Sequence, residues 1–280
     1  MSQIEFPHGY AGDVAASDGA VWAAWATCES DELSLFSEIN RDWPLRPGLD
    51  ADTWREHPPA TMGVYAAKLS PTGEATAPQR LTASDSYIQG PLLASADGQE
   101  PWVVWGEQRN NGFALVAGRH GRQQTVATSP RPMLQPAAVA DSAGRLCVAW
   151  QAWERTDTPA FALYAQWLDE DGTLISSPDE PAAEVISVPG GSSWSPALAA
   201  TPEGSVWCAW EQWQGGTSHI VLRQATAPGQ WDKPIAASTD PGLDLEPSLA
   251  VDPEGLLWVA WSRSTAWGDG MSVRSRSQSW

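Results

Sequence analysis

Lysine is almost absent from this chain, in which Lys68 and Lys233 stand against fourteen arginines. The acidic residues outnumber all these cations, so the formal net charge of the 280 residues is -18 at pH 7. Nucleic acid and anionic membrane surfaces repel a chain of this charge. We therefore expect neither nucleic acid nor a membrane as a partner.

Long apolar runs are also missing. No stretch approaches the roughly 18 apolar residues that a membrane-spanning helix needs. The first residues, MSQIEFPHGYAGD, do not combine a basic start with an apolar block, so they do not read as a signal peptide. This pattern predicts a cytoplasmic protein, with an exported protein or a fragment of a longer chain as the alternative.

Cysteine and histidine are too few and too scattered to build a site. The three cysteines, Cys28, Cys147 and Cys208, form no disulfide framework. None of the four histidines has metal-ligand spacing to another His or Cys. The chain contains neither a phosphate-binding loop nor a dinucleotide-binding fingerprint. We expect no metal and no cofactor.

Tryptophan, by contrast, is abundant, with 18 copies, and five of them end a repeated stretch. The stretch at 247–261 reads PSLAVDPEGLLWVAW. Its relatives are GDVAASDGAVWAAW, GPLLASADGQEPWVVW, QPAAVADSAGRLCVAW and SPALAATPEGSVWCAW. Within each copy a short apolar segment, a turn rich in Asp, Pro and Gly, and a longer apolar segment follow one another, which predicts a β-hairpin. The longer segment is apolar at nearly every position, as in a strand buried on both faces.

Two further strands follow each of the first four hairpins, such as FALYAQWL and then EVISV in the third copy, and one follows the fifth. The closing tryptophans Trp25, Trp105, Trp150, Trp210 and Trp261 are 80, 45, 60 and 51 residues apart. The long first interval reflects an insertion at about 30–60, inside the first unit. Four-stranded repeats of this length predict an all-β fold, namely a five-bladed β-propeller of antiparallel blades in a single domain, 1–280.

The repeated tryptophans are expected to fill the wedges between adjacent blades, because a four-stranded sheet with two apolar faces has to stack against neighbours. The same location is expected for the tryptophans three residues earlier, which are Trp22, Trp102, Trp207 and Trp258. The fifth unit stops where its fourth strand should begin. We expect residues 3–6 to supply that strand beside the segment near Val273, which closes the ring. The alternative is a chain cut before a longer C-terminal partner.

The hairpin stretch resembles the repeats of the NHL and BNR (sialidase-like) propeller superfamilies. The resemblance covers most of the chain and implies the propeller fold. The BNR Asp-box pattern, S-x-D-x-G-x-x-W, is not matched in register, since VDPEGLLW has its Asp one place early and no Ser. No catalytic residue of that superfamily is therefore carried over.

Chemically rich loops are expected on one face of the ring, where the first strands begin and where the second strands join the third. Aromatic residues stand there beside carboxylates, amides and arginines, a combination that suits sugar recognition. The predicted ligand-binding residues are Tyr87, Gln89, Arg109, Trp153, Trp194, Gln212, Trp213 and Arg263. The loops differ between blades, which favours one asymmetric site, for carbohydrate, or a scaffold over several equivalent lectin sites.

Two other functions stay open. A glycoside hydrolase or lyase, sialidase-like or other, would use a pair of carboxylates on the same face, and Glu107, Glu211 and Glu246 are the catalytic candidates. A scaffold would instead hold a protein partner through the 30–60 insertion. The sequence does not decide whether the chain is an enzyme.

Overall fold

The computed structural model describes residues 9–17, 19–28, 62–70, 72, 74–82, 88–96, 98–109, 112–154, 160–175, 183–240, 242–264 and 272–277. Every regular element in these ranges is a β-strand, which confirms the predicted all-β class. None of these ranges holds a helix long and apolar enough to span a membrane. The 30–60 insertion and the predicted closing strand at 3–6 lie outside the described residues.

The strands form five antiparallel meanders in chain order, and a single parallel bridge joins the last two into one eight-stranded sheet. The first meander contains β1 (Gly9–Ser17), β2 (Ala20–Cys28), β3 (Met62–Leu69) and β4 (Gln79–Arg80). The second contains β5 (Ile88–Ala94), β6 (Trp102–Arg109), β7 (Gly112–Arg119) and β8 (Arg122–Ser129). Both are four-stranded sheets in sequence order, as the repeat predicted.

The later meanders vary at their outer edge. The third contains β9 (Met133–Ala140), β10 (Leu146–Glu154), β11 (Ala160–Leu168), β12 (Leu174–Ile175) and β13 (Glu184–Val185). The fourth contains β14 (Ser192–Ala200), β15 (Val206–Gln214), β16 (Thr217–Ala227), β17 (Gln230–Trp231) and β18 (Ile235–Ala236). Two short strands thus share the fourth position, pairing with β11 and β16 respectively. The fifth has three described strands, β19 (Leu243–Val251), β20 (Leu257–Ser264) and β21 (Ser272–Ser277).

The first strand of each meander contacts the first strand of the next, so that β1, β5, β9, β14 and β19 follow one another in space. The sheets therefore stack face to face in chain order. A parallel bridge between Ser218 and Leu243 also joins the fourth sheet to the fifth. Because the meanders follow one another in this way, the second strand of each meander has the same end on one side of the molecule. These second strands are β2, β6, β10, β15 and β20.

Hydrogen bonds made by Asp and Gly stabilise the turns inside the repeated hairpins, as the sequence predicted. The amide of Gly255 donates to the carbonyl of Asp252 at 2.9 Å, and the amide of Leu256 donates to the Asp252 carboxylate at 2.8 Å. Gly255 has a φ of 83°, a left-handed value that glycine adopts without strain. Asp141 and Gly144 repeat these contacts in the third meander. The Asp and Gly of the repeat therefore have a direct structural role.

The second strands form the interior. In β10 and β15 the first six residues are all buried, on both faces of the strand. This confirms that the continuous apolar run belongs to a strand covered from both sides.

The five repeated tryptophans are all buried. Trp105 belongs to one buried cluster with Ala24 and Val64 of the preceding meander, and Trp210 belongs to another with Ala149 and Leu163 of the meander before it. The predicted position of these indoles, between neighbouring sheets, is confirmed for both.

The prediction for the tryptophans three residues earlier is confirmed in part. Trp102 and Trp207 are buried, whereas Trp22 is half-buried. For Trp258 the prediction is wrong, because its side chain is 44% exposed. In β20 the buried residues alternate, and Leu257, Val259 and Trp261 form the face that packs on the fourth meander. Trp258 points to the opposite face, and its indole N–H donates to Asp252 at 2.9 Å.

Replacing Trp105 with alanine should lower the free energy of unfolding by about 3–5 kcal/mol, because the substitution leaves a cavity between two sheets. Trp153→Ala is the matched control, and it should cost less than about 2 kcal/mol because that indole is 40% exposed. Urea denaturation followed by circular dichroism measures both. Equal losses for the two variants would contradict the assignment of the repeated indoles to the sheet interfaces.

Candidate functional site

One end of the meanders carries the richest set of polar and aromatic side chains. At this end the first strands begin, the second strands end and the third strands begin. The insertion between β2 and β3 leaves from the same end. All predicted site residues with a described position lie on strand segments near it.

A β-bulge interrupts every first strand close to this end. In β9, β14 and β19 the pairing register breaks where a residue precedes a proline, at Gln135, Ser195 and Glu246. These three residues have left-handed φ values of 46°, 51° and 53°, which non-glycine residues rarely adopt. Bulges of this kind re-aim side chains and backbone groups, and strained residues of this kind cluster at functional sites.

The bulge amides are bound by side chains of the preceding sheet. The amide of Ser195 donates to Oε1 of Gln135 at 3.0 Å, and the amide of Glu246 donates to Oε1 of Glu211 at 2.8 Å. Glu211 is buried whereas Glu246 is exposed. The structure thus brings two of the three catalytic candidates together through the backbone of Glu246.

The third catalytic candidate, Glu107, accepts a hydrogen bond from a buried indole in the second meander. A tryptophan side chain has one donor and no acceptor, so burial requires an acceptor nearby. The acceptors are Oε1 of Glu107 for Trp105 at 2.8 Å, Oε1 of Gln212 for Trp210 at 3.1 Å, and Oδ1 of Asp244 for Trp261 at 3.1 Å. Glu107 and Gln212 each follow their tryptophan by two residues, a spacing that puts both side chains on one face of a strand.

Both described arginine candidates are paired within their own meander. Nε of Arg109 lies 3.1 Å from Glu107. Arg263 is buried, and its guanidinium contacts both carboxylate oxygens of Asp244 at 2.6 and 2.7 Å. A third contact of 2.7 Å joins Arg263 to Asp240, which is largely exposed. The observed contacts of Arg263 stabilise the fifth meander. That Arg263 binds a ligand stays a prediction.

Asp244 is fully buried, and burial alone would raise its pKa. Hydrogen bonds from Arg263, Ser238 and Trp261 outweigh that effect, so the pKa of Asp244 is lowered from its ordinary value. A lowered pKa in the folded state stabilises the fold above the unfolded-state value of about 3.9. That stabilisation is lost as the pH falls through the folded-state pKa.

Asp244→Asn should therefore destabilise the protein by about 3 kcal/mol at pH 7, because it leaves the buried Arg263 charge poorly compensated. The difference from wild type should start to shrink below about pH 4, where the unfolded chain binds a proton at Asp244, and should be lost only below the lowered folded-state pKa. Asp240→Asn removes the exposed partner of the same arginine and should cost less than about 1 kcal/mol. Urea titrations at several pH values measure all three proteins, and a difference that is independent of pH would rule out the ionised pair.

Four aromatic side chains meet in a continuous row, which we name the aromatic shelf, made of Trp153, Phe161, Trp194 and Trp213. Ring centroids are 4.9 Å apart for Trp153 and Phe161, 5.1 Å for Phe161 and Trp194, and 6.5 Å for Trp194 and Trp213. The shelf crosses from the third meander to the fourth. Trp153 and Trp194 are 40% and 38% exposed, so two large indoles face solvent at the loop end.

Polar groups lie directly beside the aromatic shelf. The indole N–H of Trp213 donates to Oε2 of Glu211 at 3.0 Å, and the hydroxyl of Ser193 donates to Oε1 of Gln212 at 3.1 Å. Four of the predicted site residues, Trp153, Trp194, Gln212 and Trp213, are thus gathered with Glu211 at one boundary between sheets. Exposed rings bordered by fixed polar groups are the usual composition of a small-molecule binding surface.

Phe161 was not among the predicted site residues, although it connects Trp153 to Trp194. It sits opposite Trp153 in the pairing of β10 with β11. Cross-strand neighbours of this type are in contact. The available signal was therefore the register of that hairpin, which the sequence left open because residues 155–159 separate its strands.

Tyr164 lies on the same hairpin and donates its hydroxyl hydrogen bond to Glu154 at 2.9 Å. Burial, followed by this hydrogen bond and the charge of Glu154, raises the pKa of Tyr164 to about 12. The phenol is therefore neutral at physiological pH and is a poor nucleophile.

The remaining predicted residues lie apart from the aromatic shelf or outside the described residues. Gln89 is on β5, where its side chain lies against Gly106 of β6 in the second meander. Tyr87 is outside the described residues. Within the described ranges, no group of three or more His, Cys, Asp or Glu side chains is placed to hold a metal ion.

No protein-family model matches this chain. Among curated proteins, the HTH-type transcriptional regulator TrpI of Pseudomonas aeruginosa is 26% identical over 200 residues. The match covers 54% of this chain and 64% of that protein, so the chain spans less than two thirds of that relative's length.

Among solved structures, a protein of unknown function from Dyadobacter fermentans has a TM-score of 0.56 at 11% identity, covering 96% of this chain and 79% of that one. An α-L-arabinanase from Penicillium chrysogenum, solved with arabinobiose, has a TM-score of 0.49 at 14% identity, covering 96% and 76% of the two chains. The chain therefore shares a fold with the Dyadobacter protein, and the comparisons assign it no activity.

Proposed function

We propose that this chain is a closed five-bladed β-propeller that binds carbohydrate at one asymmetric site centred on the aromatic shelf. The observation that carries the proposal is the pair of solvent-facing indoles, Trp153 and Trp194, held edge to face by Phe161 between them. A sugar ring presents an apolar face that packs on an indole, while its hydroxyls need hydrogen-bonding groups at the border.

The border of the aromatic shelf offers such groups in fixed positions. Glu211 and Gln212 are held by Trp213, Trp210 and Ser193, so little side-chain freedom is lost when a ligand binds. The 30–60 insertion leaves from the same end of the meanders and would add further contacts. No other meander boundary brings four aromatic rings together within the described ranges, which supports one site rather than five.

The second candidate function is glycoside hydrolysis at this position. It is favoured by the buried Glu211 and the adjacent Glu246, which belong to neighbouring meanders. Both Glu211 oxygens, however, accept hydrogen bonds from the protein. Arg109 and Arg263 are each paired with a carboxylate of their own meander, and Tyr164 stays protonated, which disfavours sialidase-like chemistry. Binding without turnover is the better-supported role.

A glycan array followed by calorimetry on the best oligosaccharide tests the proposal. Trp153→Ala and Trp194→Ala should each weaken binding about tenfold, since each removes an apolar surface that the sugar covers. Trp258→Ala is the matched control, because that indole lies on β20, away from the aromatic shelf, and the affinity of the variant should equal that of wild type.

A panel of chromogenic glycosides separates binding from turnover. Turnover that is lost in Glu211→Gln while the circular dichroism spectrum is unchanged would establish the hydrolase. No binding and no turnover in either assay would contradict the carbohydrate proposal and favour a scaffold that holds a protein partner through the insertion.

Closure of the ring is supported by apolar surface that the two end meanders leave uncovered. Val14 and Val21 of the first meander are 69% and 46% exposed, and Trp258 lies on the outer face of the fifth. The fifth meander also has one strand fewer than the second among the residues described. In the proposed ring, residues 3–6 pair with β21 and the first sheet covers the face of Trp258.

Spin labels at positions 4 and 275, introduced as cysteines in a background free of the natural cysteines, measure this closure. Neighbouring strands are about 5 Å apart, so the labels should be within about 20 Å of each other. A distribution centred beyond about 40 Å, typical of an open array, would contradict closure.

A further inference from the structure

The bulges of three first strands hold their residues in an unfavourable backbone conformation. Gln135, Ser195 and Glu246 have φ values of 46°, 51° and 53°, and each is followed by a proline. A left-handed φ is rare for residues other than glycine, and a following proline favours extended backbone values instead. The fold therefore keeps a conformation that costs free energy at the same place in three successive meanders.

The second meander provides a comparison, because its first strand also breaks register before a proline, at Gly90 and Pro91. Gly90 does not adopt a left-handed φ. Glycine, which tolerates a left-handed φ without strain, thus occupies a bulge that does not require it, while the three strained bulges carry larger residues. Backbone preference alone would favour the opposite distribution, which indicates that the side chains themselves are needed at the strained bulges.

Only one of these three side chains has a structural contact that accounts for it. Oε1 of Gln135 accepts from the amide of Ser195 at 3.0 Å and so joins the third meander to the fourth. At Glu246 the bond to Glu211 is made by the backbone amide, which any residue would provide. Within the described ranges, neither the hydroxyl of Ser195 nor the carboxylate of Glu246 makes a hydrogen bond or an ion pair.

These two unbonded groups border the aromatic shelf. Ser195 directly follows Trp194, which is one of the two exposed indoles. The carboxylate of Glu211 accepts from the Trp213 indole at 3.0 Å and from the Glu246 amide at 2.8 Å, so it links the far end of the shelf to the bulge of the fifth meander. Ser195 is half-buried and Glu246 is exposed, so a ligand on the shelf has access to both.

We propose that Ser195 and Glu246 contact the ligand of the carbohydrate site and select a neutral sugar. The inference rests on the carbohydrate function proposed above, to which it adds the groups that recognise the hydroxyls. A carboxylate accepts hydrogen bonds from sugar hydroxyls, and it repels the carboxylate of an acidic sugar. Because the surrounding fold fixes the backbone of both residues before the ligand arrives, less entropy is lost on binding.

A glycan array that carries neutral and acidic oligosaccharides, probed with fluorescently labelled protein, tests the proposal. The wild type should bind neutral glycans. Glu246→Gly and Glu246→Ala should each weaken that binding about tenfold, and Ser195→Gly should weaken it several-fold, because each variant deletes a hydrogen-bonding group. Glu246→Gln keeps an acceptor oxygen and removes the charge, so it should retain part of the neutral binding and admit acidic glycans that the wild type rejects.

Thermal unfolding separates a ligand contact from a structural role. Glycine relieves the left-handed strain at position 246 and alanine does not, so Glu246→Gly should melt at or above the temperature of Glu246→Ala. Neither variant should melt more than about 3 °C below the wild type, since the carboxylate has no bond to lose within the described structure.

His120→Gly is the matched control for removing a left-handed side chain. His120 has a φ of 51° and lies in the turn between β7 and β8, at the opposite end of the strands. The glycan profile of this variant should be that of the wild type.

Three results would overturn the proposal, and they differ in what they leave standing. If Trp153→Ala weakens glycan binding whereas Glu246→Gly and Ser195→Gly do not, the shelf binds sugar and these two contacts are wrong. If both Glu246 variants melt many degrees below the wild type, the side chain serves the fold and not the ligand. If the wild type binds no neutral glycan, the proposed carbohydrate function is wrong as well.

Discussion

A buried indole ring needs both an apolar neighbour and a hydrogen-bond acceptor, and this double requirement organises the structure. Each repeated tryptophan at a described boundary lies between two sheets, where it removes a large apolar area from water. For three of these rings an acceptor is fixed nearby, and in the fifth meander the same carboxylate also pairs with Arg263. The acceptors lie at the end of the strands that carries the aromatic shelf. The packing of the indoles and the hydrogen bonds of these polar side chains therefore depend on each other at that end.

This coupling explains why the candidate site carries so many polar residues whose first role is structural. Glu107, Gln212 and Asp244 each accept a hydrogen bond from a buried indole. Glu211 accepts from the indole of Trp213 and from the backbone amide at the Glu246 bulge. The residues free to meet a ligand are those left over, chiefly the exposed rings of the aromatic shelf. A rigid polar frame behind exposed rings is the arrangement that preorganises a binding surface.

The sequence was sufficient for the strands and for the position of the repeated tryptophans, because both follow from local patterns. The Asp and Gly of each hairpin determine a turn, and a continuous apolar run determines a strand buried on both faces. The role of Glu107 was also within reach, since residues two apart in a strand share a face. The exposure of Trp258 could not be predicted from the sequence, because it depends on which sheet covers that face of β20 and not on the repeat itself.

The contacts that define the candidate site depend on pairing between distant segments. The row from Trp153 through Phe161 to Trp194 requires the register of β10 with β11 and the packing of the third sheet on the fourth. The same is true of Asp244 and Arg263, which meet across the β19–β20 hairpin. A shift of one residue would turn each of these side chains to the other face of its strand.

Hydrogen exchange of the tryptophan indole N–H groups, followed by NMR on protein labelled at tryptophan, tests the central claim most directly. If the repeated indoles lock the sheets together, the N–H groups of Trp105, Trp210 and Trp261 exchange only through global unfolding. Those of the exposed Trp153 and Trp194 then exchange orders of magnitude faster. Comparable exchange rates for the two groups would contradict the account.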